Sequence, residues 1–446
     1  MKFEVDSQTK KDLEIFKTVG NGTSVFDLFD QTNCYGGKKK IHDFLASPST
    51  DLTEITERKE AFAFFQKHYP DGVNVDKNSL DFTEYYLRHA NYPTKSPSRY
   101  MALEKILLDK LSTSNEYYLI RNGVSAAIDL LKTLYQFSQT LVDRSKNEDI
   151  PTLLLRNSNE VLKILSQPYY AEIIKRKKVK TSETTTYDYL FRYADKDYIR
   201  FFLDVIYEYD AFKSIAKAAE IYNFSYPEIV SDTENCLEIE GFFHPFVENA
   251  IANDISFDVT SNLLFVSGPN MAGKSTSLKA LGVSVYLAHA GFPVPAAKMK
   301  LSLLSGLSTT INISDNLNSG YSHFYAEVMR IKDVANKLHQ NNKMMVLFDE
   351  LFRGTNVKDA YDGTLSIVSA FAKIRSSFFV ISSHIVEVAK ELRSNENIKF
   401  CYFDIREEDG QPVYTYKLKE GVTDIRLGMY IIKKEGLIEL INSIKR

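Results

Sequence analysis

Two textures of apolar spacing divide the chain. Up to about residue 230, hydrophobic residues recur at three- and four-residue steps. Ile120, Val124, Ile128, Leu131, Leu134, Phe137 and Leu141 form one stripe, and Phe202, Ile206, Tyr209, Phe212, Ala216 and Ala219 form another. A helix turns once in about 3.6 residues, so each stripe occupies one face of a long amphipathic helix and predicts core packing. From about Leu237 the spacing changes to short, near-continuous apolar runs: Asn262 to Ser267 (NLLFVS), Met344 to Phe348 (MMVLF) and Ser377 to Ser382 (SFFVIS). Strands buried on both faces have this appearance, and the helical segments between them predict a parallel α/β sheet. Near the end, IKFCYFDI and PVYTYKL flank Glu407 to Gln411, which predicts a hairpin. The change of texture places a domain boundary near Pro227, in SYPEIV.

A chain of 446 residues exceeds one compact core and fits two or three domains. With 44% hydrophobic and 25% charged residues it has the apolar material to fold throughout. The opening MKFEVDSQTKK lacks the apolar core of a secretory signal, and no run approaches the roughly 20 residues that span a bilayer, so the expected location is cytoplasmic. Cys34, Cys236 and Cys401 are far apart, without a CxxC pair, and read as ordinary thiols. A formal net charge of −3 gives no global attraction to phosphate backbones, so any nucleic-acid contact must come from a local basic face. The 27 tyrosines and 29 phenylalanines, with no tryptophan, suggest no function by themselves.

Chemistry enters at Gly268 to Ser275, which fits GxxxxGK[ST] between an apolar strand and the helix-like segment Ser275 to His289. Glycines let backbone N–H groups converge on a phosphate at a helix N-terminus. The expected nucleotide-binding residues are Gly268, Pro269, Asn270, Met271, Ala272, Gly273, Lys274, Ser275 and Thr276, with Lys274 facing the β and γ oxygens and Ser275 coordinating Mg²⁺. MMVLFDE ends a second strand in two acids. Side chains alternate along a strand, so Asp349 and Glu350 are expected on opposite sides, one holding the metal shell and the other addressing a water. A third strand ends at His384, from which an imidazole reaches a γ-phosphate. The absence of an Asn-Lys-x-Asp guanine signature favours ATP.

These motifs carry a family resemblance. GPNMAGKST, then DNLNSGYSHFYAEV from Asp315 to Val328, FDELFRGTNVKDAYDG from Phe348 to Gly363, and SSH ending at His384 together resemble the MutS family of mismatch-repair ATPases, and LSGGQ of transporter ATPases is absent. Upstream, Ser24 to Arg58 is similar to the start of that family's core domain and Asp210 to Ile229 to its last lever segment. The resemblance implies an all-α helical core/lever domain over residues 1–232, followed by an α/β P-loop (ABC-type) ATPase domain over residues 233–446. It also implies a homodimer in which Ser322, on a loop shaped by Ser319 and Gly320, completes the partner's site. Asn270 orients the γ-phosphate, Glu350 activates water and His384 reads the nucleotide state.

Departures qualify the expectation for DNA. The family's mismatch-reading domain lies before the core, and only 23 residues precede Ser24. Phe82-Thr83-Glu84 has the pattern of the mispair wedge but sits in a helical stretch and reads as chance. The basic run Lys175, Arg176, Lys177, Lys178 and Lys180 falls near the family's DNA clamp and is the candidate for phosphate contact. EGVTDIRLG replaces the serines usual near the final nucleotide contacts. The expectation is an ATP-dependent, DNA-binding clamp with less than about a tenfold preference for a mismatch, since backbone contacts carry no base information. The alternative is an ATP-driven dimerisation switch gripping a protein partner.

Overall fold

The computed structural model describes residues 3–18, 22–69, 72–73, 75–89, 115–176, 180, 183–231, 233–311, 323–341, 343–408, 411–423, 432 and 434–444. The chain forms two compact units, one of Met1–Asp27, Ser47–Thr56 and Ile221–Arg446, the other of Leu28–Ala46 and Glu57–Glu220.

The second unit is helical. It contains Tyr35–Ala46, Lys77–His89, Asn115–Arg144, Thr152–Leu165, Pro168–Lys175, Thr184–Tyr189 and most of Lys196–Ile221. Every residue of the two predicted stripes is buried in it. The core is aromatic: the Phe65 and Phe212 rings meet edge to face at 5.6 Å, and Phe137 and Tyr209 lie 5.2 Å apart. Such pairs gain about 1 kcal/mol beyond their area, and they occupy part of the phenylalanine and tyrosine excess. Gly123 lets Asn115–Arg144 approach Lys77–His89, because a Cβ there would stand 2.1 Å from Cγ of Tyr86. In the same helix Glu84 accepts the Tyr207 phenol at 2.7 Å, so Phe82-Thr83-Glu84 is part of the helical packing.

The first unit is α/β. Its strands are β1 (Glu228–Val230), β2 (Leu237–Phe242), β3 (Asn253–Phe257), β4 (Leu263–Ser267), β5 (Lys298–Ser302), β6 (Gly306–Thr310), β7 (Met344–Asp349), β8 (Phe378–Ser383), β9 (Ile398–Glu408) and β10 (Gln411–Glu420). Six form a sheet in the order β10-β9-β4-β8-β7-β6, parallel except for β10, which pairs antiparallel with β9 as the predicted hairpin. All residues of β4, β7 and β8 are buried, which is why their sequences read as unbroken apolar runs. A second sheet, β1-β5-β2-β3, was not predicted; its strands are only three to six residues long.

Residues 3–16, assigned by periodicity to the helical half, pack into this α/β unit. Glu4 bridges to Gly306 at the edge of β6, and the buried Asp12 carboxylate accepts the Thr309 hydroxyl at 2.7 Å and the Ile311 N–H at 3.0 Å. Asp6 accepts from Arg330 at 2.6 Å and pairs with Lys337. Phe3 stacks on the buried His289 at 4.2 Å, and burial pushes that imidazole down to about 4. Two features of the sequence explain why the segment was misplaced: it is short, and its anchors are polar residues that bury only against a partner. Among the described residues no helix is long and apolar enough to cross a membrane, and all three cysteines are free.

Candidate functional site

The site lies at the C-terminal ends of β4, β7 and β8, where open parallel sheets place ligands. β4 runs into the loop Gly268–Gly273 and then the helix Lys274–Ala290. The turn requires left-handed backbone at Gly273 (φ 103°), and Met271, at φ 68°, carries the same cost without the glycine's freedom. Lys274 is 6% exposed and donates to the carbonyls of Gly268 (2.7 Å) and Pro269 (2.9 Å). Burial lowers its pKa, against the opposing fields of Glu350 and Asp349.

Strand register aligns the acids. Asp349 stands opposite Ser382, whose hydroxyl donates to one carboxylate oxygen at 2.5 Å, while the Ser275 hydroxyl donates to the other at 2.5 Å. One hydroxyl and one carboxylate fit the sparse protein ligation of Mg²⁺, which takes its remaining ligands from phosphates and water. Among the described residues, no group of three or more acids, histidines and cysteines is placed to hold a metal ion.

Glu350 departs from the expected alternation. β7 ends at Asp349, and Glu350 turns into the left-handed region at φ 64°, a strain of about 1 kcal/mol or more for a non-glycine residue. Both carboxylates therefore face one cleft instead of opposite sides of the sheet. Glu350 contacts the His384 imidazole and accepts from Arg353 Nε at 2.6 Å. Burial raises its pKa, but His384, Arg353 and Lys274 together outweigh this and hold it below the ordinary glutamate value. The carboxylate is thus kept anionic in a half-buried position, the state a base requires.

The cleft has a volume of about 590 Å³. Of the expected phosphate-loop residues, Pro269, Asn270, Met271, Gly273, Lys274, Ser275 and Thr276 line it, with Asp349 and Glu350; Gly268 contributes its carbonyl, and Ala272 is buried behind the loop. Ser319, Gly320 and Ser322, and the stretch 424–428 of EGVTDIRLG, lie outside the described residues. So do Lys177 and Lys178 of the basic run. Lys175 and Lys180 are exposed, whereas Arg176 is engaged by both Glu172 and Glu183.

Several lining residues carry no sequence signal. Phe242, His244 and Ile251 approach from the smaller sheet and its loop, and Tyr416 from β10. Asn253 fixes Tyr416 by accepting the Leu418 N–H at 2.7 Å and donating to the Tyr416 carbonyl at 3.0 Å, which replaces strand pairing where the β9–β10 register shifts. Tyr416 lies against the phosphate loop, since a Cβ on Gly273 would meet its ring at 3.2 Å. Burial, and secondarily Lys279, push His244 down to about 4, leaving a neutral wall. Arg353, which the motif FDELFRGT contains without indicating a role, pairs with both Glu350 and Asp349.

Residues 264–444 match the family model for MutS domain V. The DNA mismatch repair protein MutS of Petrotoga mobilis is 24% identical over 99% of this chain and 64% of its own length. Those of Ehrlichia ruminantium (strain Welgevonden) and Halalkalibacterium halodurans are 30% and 29% identical, each over 55% of this chain and 30% and 29% of their own lengths. The chain thus spans less than two thirds of these relatives. The phosphate loop lies inside the matched region and similarity to MutS proteins runs along nearly the whole chain, which supports assignment to the MutS family.

Proposed function

We propose that this chain is an ATPase that binds DNA and acts in the DNA mismatch repair role named for its relatives. The observation that carries the catalytic half is the convergence of Lys274, Ser275, Asp349 and Glu350 at the ends of adjacent parallel strands. In this reading ATP phosphates lie over the amides of Gly268–Gly273, Lys274 supplies its charge to the β and γ oxygens, and Ser275 and Asp349 hold Mg²⁺. The metal neutralises charge on the phosphates when bound. Glu350 takes the proton of a water in line with the γ-phosphate, and His384, in contact with Glu350, orients that carboxylate. The apolar wall of Phe242, Ile251 and Tyr416 suits the flat adenine base.

The family's dimeric arrangement extends this reading: two ATPase domains associate, and Ser322 completes the partner's site. ATP then switches a clamp built from the helical unit, with Lys175, Lys177, Lys178 and Lys180 as candidate phosphate contacts and Arg176 held instead by Glu172 and Glu183. Glu350→Gln keeps the side-chain size and removes the base. Tight ATP retention with turnover lowered by a factor of about 10² or more is expected in single-turnover assays. Hydrolysis at the unmodified rate would overturn the assignment.

A further inference from the structure

The excess of tyrosine has a spatial pattern. In the helical unit, every exposed large hydrophobic side chain among the described residues is a tyrosine: Tyr35, Tyr85, Tyr118, Tyr169, Tyr193 and Tyr198. In the α/β unit most such side chains are aliphatic. Three of the six gather at one end of the helical unit, with exposures of 40%, 47% and 38% for Tyr169, Tyr193 and Tyr198.

That end is organised around Asp195, which accepts the Tyr170 phenol at 2.8 Å. Tyr169 lies 6.1 Å from Tyr187 by ring centroids. Its phenol is pushed up to about 12 by burial, then by Tyr187 and the carboxylates of Glu172, Asp195 and Glu183. A π-helical turn, Leu190–Ala194, fixes Tyr193. Arg192 turns inward to the buried Asp188 at 2.6 Å, and Tyr193 stacks on Tyr189 at 5.8 Å with ring planes 6° apart. Single π turns often mark functional positions.

The charges of this end are asymmetric. Each of its carboxylates is committed locally: Glu172 and Glu183 to Arg176, Asp188 to Arg192, Asp195 to Tyr170, and Asp197 to Arg200 at 3.4 Å. Lys175, Lys180 and Lys196 are exposed, and among the described residues their ammonium groups form no ion pair, although the Lys180 backbone N–H donates to Glu183 at 3.4 Å. Exposed planar rings beside uncommitted ammonium groups match a nucleic acid strand, whose bases stack on aromatic faces while lysines take its phosphates. In intact duplex the base faces are already stacked on one another, so only unpaired bases offer a surface to these rings.

We propose that the end of the helical unit bearing Tyr169, Tyr193 and Tyr198 binds unpaired bases of DNA by stacking, with Lys175, Lys180 and Lys196 on the flanking phosphates. The inference rests on the DNA-binding reading above and names the DNA feature recognised. The test uses the full chain and fluorescence anisotropy on three labelled DNAs of equal length: single strand, gapped duplex and perfect duplex. Replacing all three tyrosines with alanine is expected to weaken single-strand and gapped binding by about tenfold or more and perfect-duplex binding by less than about twofold. Replacing them with phenylalanine should restore the unpaired-base binding, and unchanged ATP turnover in both variants checks the fold. Equal losses on all three DNAs, or none, would overturn the proposal. Binding of perfect duplex without any gain from unpaired bases would sink this inference alone; no binding to any DNA would sink the DNA reading as well.

Discussion

The phosphate loop and the basic end of the helical unit are both anion-binding candidates, and they solve the problem differently. Lys274 is buried, held by two backbone carbonyls and faced by Asp349 and Glu350, so its charge is fixed in place before any ligand arrives. Lys175 and Lys180 are exposed at the end of a helix and just beyond it, in the reach of solvent and salt. A buried, preoriented charge makes a large contribution that depends on position; an exposed one makes a small contribution that depends on ionic strength. Counting charges alone would favour five basic residues in six; it is the strand–loop–helix context of Gly268 to Ser275 that ranks the single lysine first.

The largest expected consequence of this difference is at Lys274. Lys274→Ala removes the preoriented cation and leaves two carboxylates facing the phosphate position. ATP affinity is expected to fall by about two orders of magnitude, measured by calorimetry with a non-hydrolysable analogue. Retained affinity would mean that the loop amides suffice and that burial of the lysine has another purpose.

A smaller effect is expected at Arg353. Glu350 has a lowered pKa, so it stays anionic below the ordinary glutamate range, and the base role proposed for it is lost only as pH falls through that lowered value. Arg353→Ala removes one of the cations responsible, and burial then raises the pKa. The acid limb of the turnover profile should move up by about one pH unit, with turnover at high pH changed much less. An unmoved limb would assign the depression to His384 and Lys274 alone.

The exposed site should yield the mildest change. Replacing Lys175 and Lys180 with glutamine is expected to reduce the slope of log affinity for DNA against log salt by about two. Arg176→Gln should leave that slope nearly unchanged, because Arg176 is already engaged by Glu172 and Glu183. A slope that responds to Arg176 as strongly as to the lysines would show that the protein opens this ion-pair cluster on DNA.

Much of the catalytic half was legible because its signals are local. A glycine-rich loop between a buried strand and a helix, and a buried strand ending in two acids, are written in contiguous residues: β4, β7 and β8 lie within one residue of the runs that predicted them, and β9 and β10 contain theirs with up to three residues added at an end. The helical stripes likewise became core because period alone specifies a face. The docking of residues 3–16 left no such trace, because Asp6 and Asp12 acquire meaning only from Arg330, Lys337, Thr309 and Ile311, some three hundred residues away.

The sequence by itself determined which residues form the candidate phosphate site and which faces are apolar, since both depend on spacing along one segment. Only the tertiary structure decided how the acids are used. Register between β7 and β8 sets Ser382 against Asp349, and left-handed backbone swings Glu350 into the same cleft, reversing the alternation that an extended strand would impose. It also decided that Tyr416 covers the loop, through an asparagine that replaces strand pairing, and that Arg176 is spent on two glutamates while its neighbouring lysines are not. Side-chain pairing across distant segments depends on distances that no one-dimensional pattern contains.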